Sequence, residues 1–229
     1  MPRDGERCDE LLGPDGPKLC WSPRGEPLAP SELPPIAVPN LPGARIVLRA
    51  GTSSSEVGEV ALAFCAVAPS RGWTPGLEEM IFARIAALTA EALHFEGSVR
   101  AVPAFGFDAR PGFVRKLERD PSPTDRRYVE GRSYLRFFDE GRQALVCTVA
   151  MAAPPSKSLS ALAAATHLEG NWSAPPPPDL LATAILYTGN HPLVVFGSLA
   201  GGMLLLLAIV IARRPRPSKT RQAVARRHD

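Results

Sequence analysis

From residue 192 to residue 212 the chain reads PLVVFGSLAGGMLLLLAIVIA, 21 positions without a charged side chain. No other stretch constrains the fold as tightly. A helix needs about 20 apolar residues to cross a hydrocarbon core, and a soluble helix of that length keeps a polar face. The run predicts one transmembrane helix over 192–212, with the lipid bilayer as its first partner. Arg213 and Arg214 follow at once and stop it. With Arg216, Lys219, Arg221, Arg226 and Arg227 they make 213–229 a basic tail, which the positive-inside rule assigns to the cytoplasm. The folded part is then expected outside the cytoplasm, on a single-pass membrane protein. The first twenty residues, MPRDGERCDELLGPDGPKLC, contain no apolar segment of the signal-peptide kind, so a tail-anchored cytosolic adaptor is the competing topology. Within the run, Gly197 and Gly201 form a GxxxG pair, and Ser198 with Gly202 repeats the spacing one residue on. Small residues on one helix face let two backbones approach, so a homodimer through this face is expected.

The same tail explains the basic balance of the chain. Of 26 basic and 23 acidic residues, seven basic and one acidic lie beyond residue 212, leaving 19 basic against 22 acidic before it. A domain that is slightly acidic has no electrostatic reason to take nucleic acid as a partner.

Proline divides the remainder. Pro14, Pro17, Pro23, Pro27, Pro30, Pro34, Pro35, Pro39 and Pro42 interrupt any regular period, so 1–42 reads as a Pro/Gly-rich disordered arm. The run Pro175, Pro176, Pro177 and Pro178 marks 171–191 as a Pro-rich stalk with an apolar interfacial segment before the anchor.

Between them, 43–170 has the patterning of a folded domain. Strands are expected over 44–49 and 57–67, the second apolar on both faces and therefore central. A helix follows, with Thr74 as N-cap, Pro75 in the first turn, Glu78 and Glu79 near its start, and Leu77, Ile81, Ile85, Leu88 and Ala92 at helical spacing up to a stop at Gly97. Further strands are expected at 99–107 and 113–117, then a hairpin of 128–138 and 142–151 turning at Asp139, Glu140 and Gly141. A second helix is expected over 156–168, with His94 and His167 each near a helix end. The fold class is α+β: an antiparallel sheet with two packed helices, plus one C-terminal transmembrane helix. This element order, over about residues 44 to 170, resembles Mog1/PsbP-like domains, compact α+β modules that mostly bind or help assemble other proteins. The resemblance implies a binding or assembly role and transfers no site residue.

Four cysteines without a CxxC suit either of two states. In an oxidising compartment Cys8 with Cys20 and Cys65 with Cys147 would form disulfides, while in a reducing one Cys65 and Cys147 would act as small buried hydrophobes. If strands 57–67 and 144–151 are neighbours, Cys65 and Cys147 can face each other. The sequence contains no GxSxG, HExxH, GxGxxG or Walker-type motif, and its carboxylates are scattered, so no catalytic residue, cofactor or metal ligand is nominated. Arg132, Tyr134, Arg136 and Phe138 place aromatic and guanidinium groups on one strand, the side chains enriched at protein interfaces. The resulting expectation is a membrane-anchored exocytoplasmic binding or assembly module without catalysis of its own, acting on a protein partner. An enzyme built from dispersed residues is the alternative.

Overall fold

In the computed structural model, which describes residues 6–35, 43–55, 58–71, 73–74, 76–104, 110–120, 127–154, 165–178 and 180, alternation of period two decides the architecture. Ten strands and one helix follow one another in the order β1 (Arg7–Glu10), β2 (Lys18–Trp21), β3 (Glu26–Pro27), β4 (Arg45–Ser54), β5 (Glu59–Pro69), α1 (Leu77–Ala92), β6 (Val99–Pro103), β7 (Phe113–Arg119), β8 (Tyr128–Phe138), β9 (Gln143–Ala153) and β10 (His167–Glu169). Seven strands form an antiparallel sheet in the order β3-β4-β5-β9-β8-β7-β6, and three form a second sheet in the order β1-β2-β10. All of this belongs to the compact unit Met1–Leu180, while the second unit, Leu181–Asp229, lies outside the described residues.

The large sheet is covered on both faces, and its central strands show it residue by residue. Ala61, Ala63, Cys65 and Val67 of β5, with Leu145, Cys147, Val149 and Met151 of β9, bury one face against Leu11, Leu19, Trp21 and Leu168 of the small sheet and its turn. Leu62 and Phe64 of β5 and Leu135 and Phe137 of β8 belong to the opposite face, where Phe82, Ile85 and Ala86 of α1 pack. Phe82 and Ile85 are 0% and 1% exposed, and burial on that scale contributes about 1.5–3 kcal/mol per side chain. Trp73 closes this core in a T-shaped pair with Phe137, centroids 4.9 Å apart.

The expected α+β domain with two packed helices and a transmembrane helix is thus corrected to a two-sheet β structure with one described helix. Residues 167 and 168, assigned to the end of a second helix, belong with Glu169 to β10, because Leu168 is fully buried while His167 and Glu169 on either side face outward, a period of two rather than 3.6. Residues 156–164 of that expected helix fall outside the described residues. So does 192–212, and among the described residues no helix is long and apolar enough to cross a membrane. The N-terminal arm is also corrected, since β1, β2 and β3 occupy residues 7–27. Prolines are tolerated there because Pro14 and Pro17 sit in the turn between β1 and β2, which is closed by Leu11 N–H to Pro17 O at 3.0 Å and Gly16 N–H to Gly13 O at 3.0 Å.

Helix α1 starts at Gly76, with φ of 91°, rather than on a Thr74 side-chain cap, and the Glu78 carboxylate accepts the Gly76 N–H at 2.9 Å. At its other end the left-handed residue is His94, φ 46°, not Gly97. Phe95 N–H donates to Ala90 O at 2.9 Å and His94 N–H to Glu91 O at 3.1 Å, the two bonds of a Schellman motif. No basic residue lies in the last turn of α1, yet Arg127 from outside the helix supplies the missing cation, its guanidinium donating to Leu93 O at 3.3 Å and His94 O at 2.7 Å. Because glycine adopts this conformation without a Cβ penalty, His94→Gly is expected to raise stability by about 0.5–1 kcal/mol. Chemical denaturation of the pair of proteins checks it; a loss of stability would show that the imidazole itself holds the helix end.

Candidate binding groove

A groove of about 590 Å³ opens at the end of the large sheet where β5 and β8 finish and β4 and β9 begin. Strand register builds it. Arg45 pairs with Val67, and Pro69 and Phe138 both pair with Gln143, so one end-row of four strands supplies the floor. Leu11, Leu12 and Gly13 of the β1–β2 turn form the opposing wall, and Gly43 lies beside Arg45. Leu11 and Val67 are buried, Leu12, Phe138 and Gln143 are half-buried, and Arg45 is exposed. The groove therefore combines apolar side chains with one amide and one guanidinium in a mixed polar and apolar surface, a composition suited to binding rather than to nucleophilic or acid–base chemistry.

Its shape is fixed by the β8–β9 hairpin. Asp139, Glu140 and Gly141 all have positive φ, at 51°, 54° and 81°, and the turn is closed by Gly141 N–H to Phe138 O at 3.1 Å and Arg142 N–H to Asp139 O at 2.9 Å. Ser70, following β5, donates its hydroxyl to Gly141 O and its N–H to Arg142 O at 3.0 Å, which ties the turn to the neighbouring strand end. Ser173 continues along the other side, its N–H bonded to Phe137 O at 2.7 Å, so the beginning of the expected stalk is part of the fold.

The four candidate interface residues share one face of β8, and that face points inward. Arg132, Tyr134 and Arg136 are 9%, 2% and 0% exposed. Arg136 donates to Arg110 O at 2.9 Å and Pro111 O at 2.8 Å, Arg132 donates to Thr166 O at 3.3 Å, and the Tyr134 hydroxyl donates to Thr166 O as well. These groups satisfy backbone carbonyls of segments lying over the sheet, which is how buried guanidinium and phenol groups become tolerable. Phe138 alone of the four reaches the groove. Leu11, Leu12 and Arg45 had no signal in the sequence, because the first two stood in a presumed arm and the third stood near the start of a short strand.

The four cysteines are paired, Cys8 with Cys20 and Cys65 with Cys147. Each pair occupies directly opposite positions on antiparallel neighbours, β1 with β2 and β5 with β9, as the adjacency of the central strands required. His94 and Glu96 are not among the groove's lining residues. Metal-ligating side chains gather elsewhere among the described residues, on the outer face of the small sheet. The candidate helix-dimer residues Gly197, Ser198, Gly201 and Gly202 and the basic tail lie outside the described residues. No protein-family model, curated protein or solved structure matches this chain.

Proposed function

We propose that this chain is a non-catalytic binding or assembly module, held at a membrane by its apolar segment 192–212, with the β domain outside the cytoplasm and a protein as its partner. The observation that carries the binding reading is the groove, whose apolar side chains beside the Arg45 guanidinium and the Gln143 amide suit a short extended segment with an apolar side chain and acceptor oxygens. The location is supported by the two disulfides, because a domain facing the cytosol would be kept as thiols. The apolar segment and its basic flank support the tether.

Site-specific photo-crosslinking in intact membranes tests the reading. A benzophenone amino acid at Gln143, inside the groove, is expected to give a discrete protein adduct that is lost when Leu12→Asp is added. The same group at Met80, which is 63% exposed on α1, is expected to give none. Equal labelling from both positions, or an adduct indifferent to Leu12→Asp, would remove the groove as the binding surface. A membrane-impermeant maleimide that fails to reach the reduced cysteines from the outer side would remove the orientation.

A further inference from the structure

On the small sheet, positions 8, 20 and 167 form one row: Cys8 pairs with Cys20, and Cys20 pairs with His167. Direct partners in a sheet project to the same face, as do residues two apart on a strand, so Cys8, Cys20, His167 and Glu169 share the outer face, with Glu6 beside them. The Cys20 sulfur, a His167 ring nitrogen and a Glu169 carboxylate oxygen all lie within 4.8 Å of one another, and the Cys8 sulfur is bonded to that of Cys20. We propose that reduction of the Cys8–Cys20 disulfide turns this row into a zinc site with Cys8, Cys20, His167 and Glu169 as its four ligands.

Two features of the imidazole point to a cation. His167 Nδ1 lies 3.1 Å from the carbonyl oxygen of Ala165, which can only accept and so orients the ring through that nitrogen. A backbone carbonyl holding one ring nitrogen is the usual arrangement behind a metal-bound histidine. Nε2, on the other side of the ring, lies 3.4 Å from a Glu169 carboxylate oxygen. A tetrahedral zinc with bonds of about 2.1 Å places adjacent nitrogen and oxygen ligands roughly 3.4 Å apart, so this pair already has the edge length of such a site. Glu6, 3.5 Å from Nδ1, adds negative potential on the other side. Lys18, the register partner of Glu169, is engaged by Glu10 at 3.1 Å. Two thiolates, an imidazole and a carboxylate form a donor set that zinc prefers.

The chemistry balances with a dithiol reductant. A reductant thiolate attacks the exposed Cys8 sulfur and breaks its bond to Cys20. The reductant's second thiol then displaces Cys8, leaving a cyclic reductant disulfide and two protein thiols that have gained two electrons and two protons. Zinc binding releases those two protons from Cys8 and Cys20. The metal joins the same strands that the disulfide joined, so the hairpin is clipped in either redox state.

The test uses the full chain in detergent, reduced by a phosphine that does not compete for metal, with Co²⁺ and Zn²⁺ as probes. Reduced protein is expected to bind one Co²⁺ with strong thiolate-to-cobalt charge transfer and tetrahedral ligand-field bands, and oxidised protein is expected to show neither. Cys8→Ser/Cys20→Ser, reduced in the same way, is expected to lose the charge transfer although Cys65 and Cys147 remain. His167→Ala is expected to weaken Zn²⁺ binding by at least about tenfold. In parallel, Zn²⁺ should slow alkylation of Cys8 and Cys20 in the reduced wild type, a readout that needs no variant to fold. Absence of charge transfer in reduced wild type, its persistence in the double serine variant, or alkylation rates unchanged by Zn²⁺ would each overturn the proposal.

Discussion

Replacing Gly131 with alanine is expected to destabilise the domain by about 3 kcal/mol, a large fraction of what holds any domain of this size. Gly131 lies inside β8, between Leu117 of β7 and Ala150 of β9. A Cβ there would stand 2.4 Å from Val149 O and 2.9 Å from Ala150 Cα. Both are backbone atoms of the neighbouring strand, so no rotamer change can relieve the clash, and the β8–β9 ladder must open. Gly76 supplies the comparison. Its φ is 91° and nothing lies within 4 Å of an added Cβ, so Gly76→Ala is expected to cost only about 1 kcal/mol, the conformational term alone. Denaturation curves of the two variants decide between the causes. If Gly131→Ala were as mild as Gly76→Ala, the close approach of β8 and β9 at this position would be refuted.

The second large effect concerns the buried disulfide. Cys65 and Cys147 are 82 residues apart and both are 0% exposed, whereas Cys8 and Cys20 are 12 apart with Cys8 exposed. In the chain-entropy account, closing the longer loop contributes about 4.5 kcal/mol and the shorter about 3 kcal/mol. Cys65→Ala/Cys147→Ala is therefore expected to lose more stability than Cys8→Ala/Cys20→Ala, and to bring the domain close to unfolding. Burial adds a kinetic difference. Under native conditions a reductant is expected to open Cys8–Cys20 first, while Cys65–Cys147 becomes reducible only as the sheets separate. Alkylation with mass measurement over time follows both. Simultaneous release of four thiols, or earlier release of Cys65 and Cys147, would contradict the placement of that bond in the core.

These expectations show where the sequence carried enough information and where it did not. The 3.6 spacing of Ile81, Ile85 and Leu88 located α1, but the identity of its ends came from the structure. Thr74 was the obvious cap and Gly97 the obvious stop, whereas Gly76 and His94 hold the left-handed positions. The reason is that the chain direction before and after a helix depends on what the helix packs against. Similarly, the alternation in 128–138 revealed β8 and its turn, and placed Arg132, Tyr134, Arg136 and Phe138 on one strand, where they prove to share a face. Which way that face points was not legible, because the carbonyls that receive Arg136 and Tyr134 belong to residues 25 to 32 positions away.

The sequence by itself determined the local periods. Legible from it were helix α1, the β8–β9 hairpin, the central apolar strand, the even cysteine set, and the apolar run 192–212 with its basic flank. All of these depend on residues close to one another in the chain. Tertiary structure alone decided that the proline-rich start folds into a hairpin, that His167 and Glu169 belong to a strand beside Cys20, that the arginine and tyrosine face is interior, and that Leu11 meets Phe138 across a groove. Each of those depends on burial against a partner distant in sequence. A four-residue strand such as β2, or a three-residue strand such as β10, has too little pattern of its own to be read before that partner is in place.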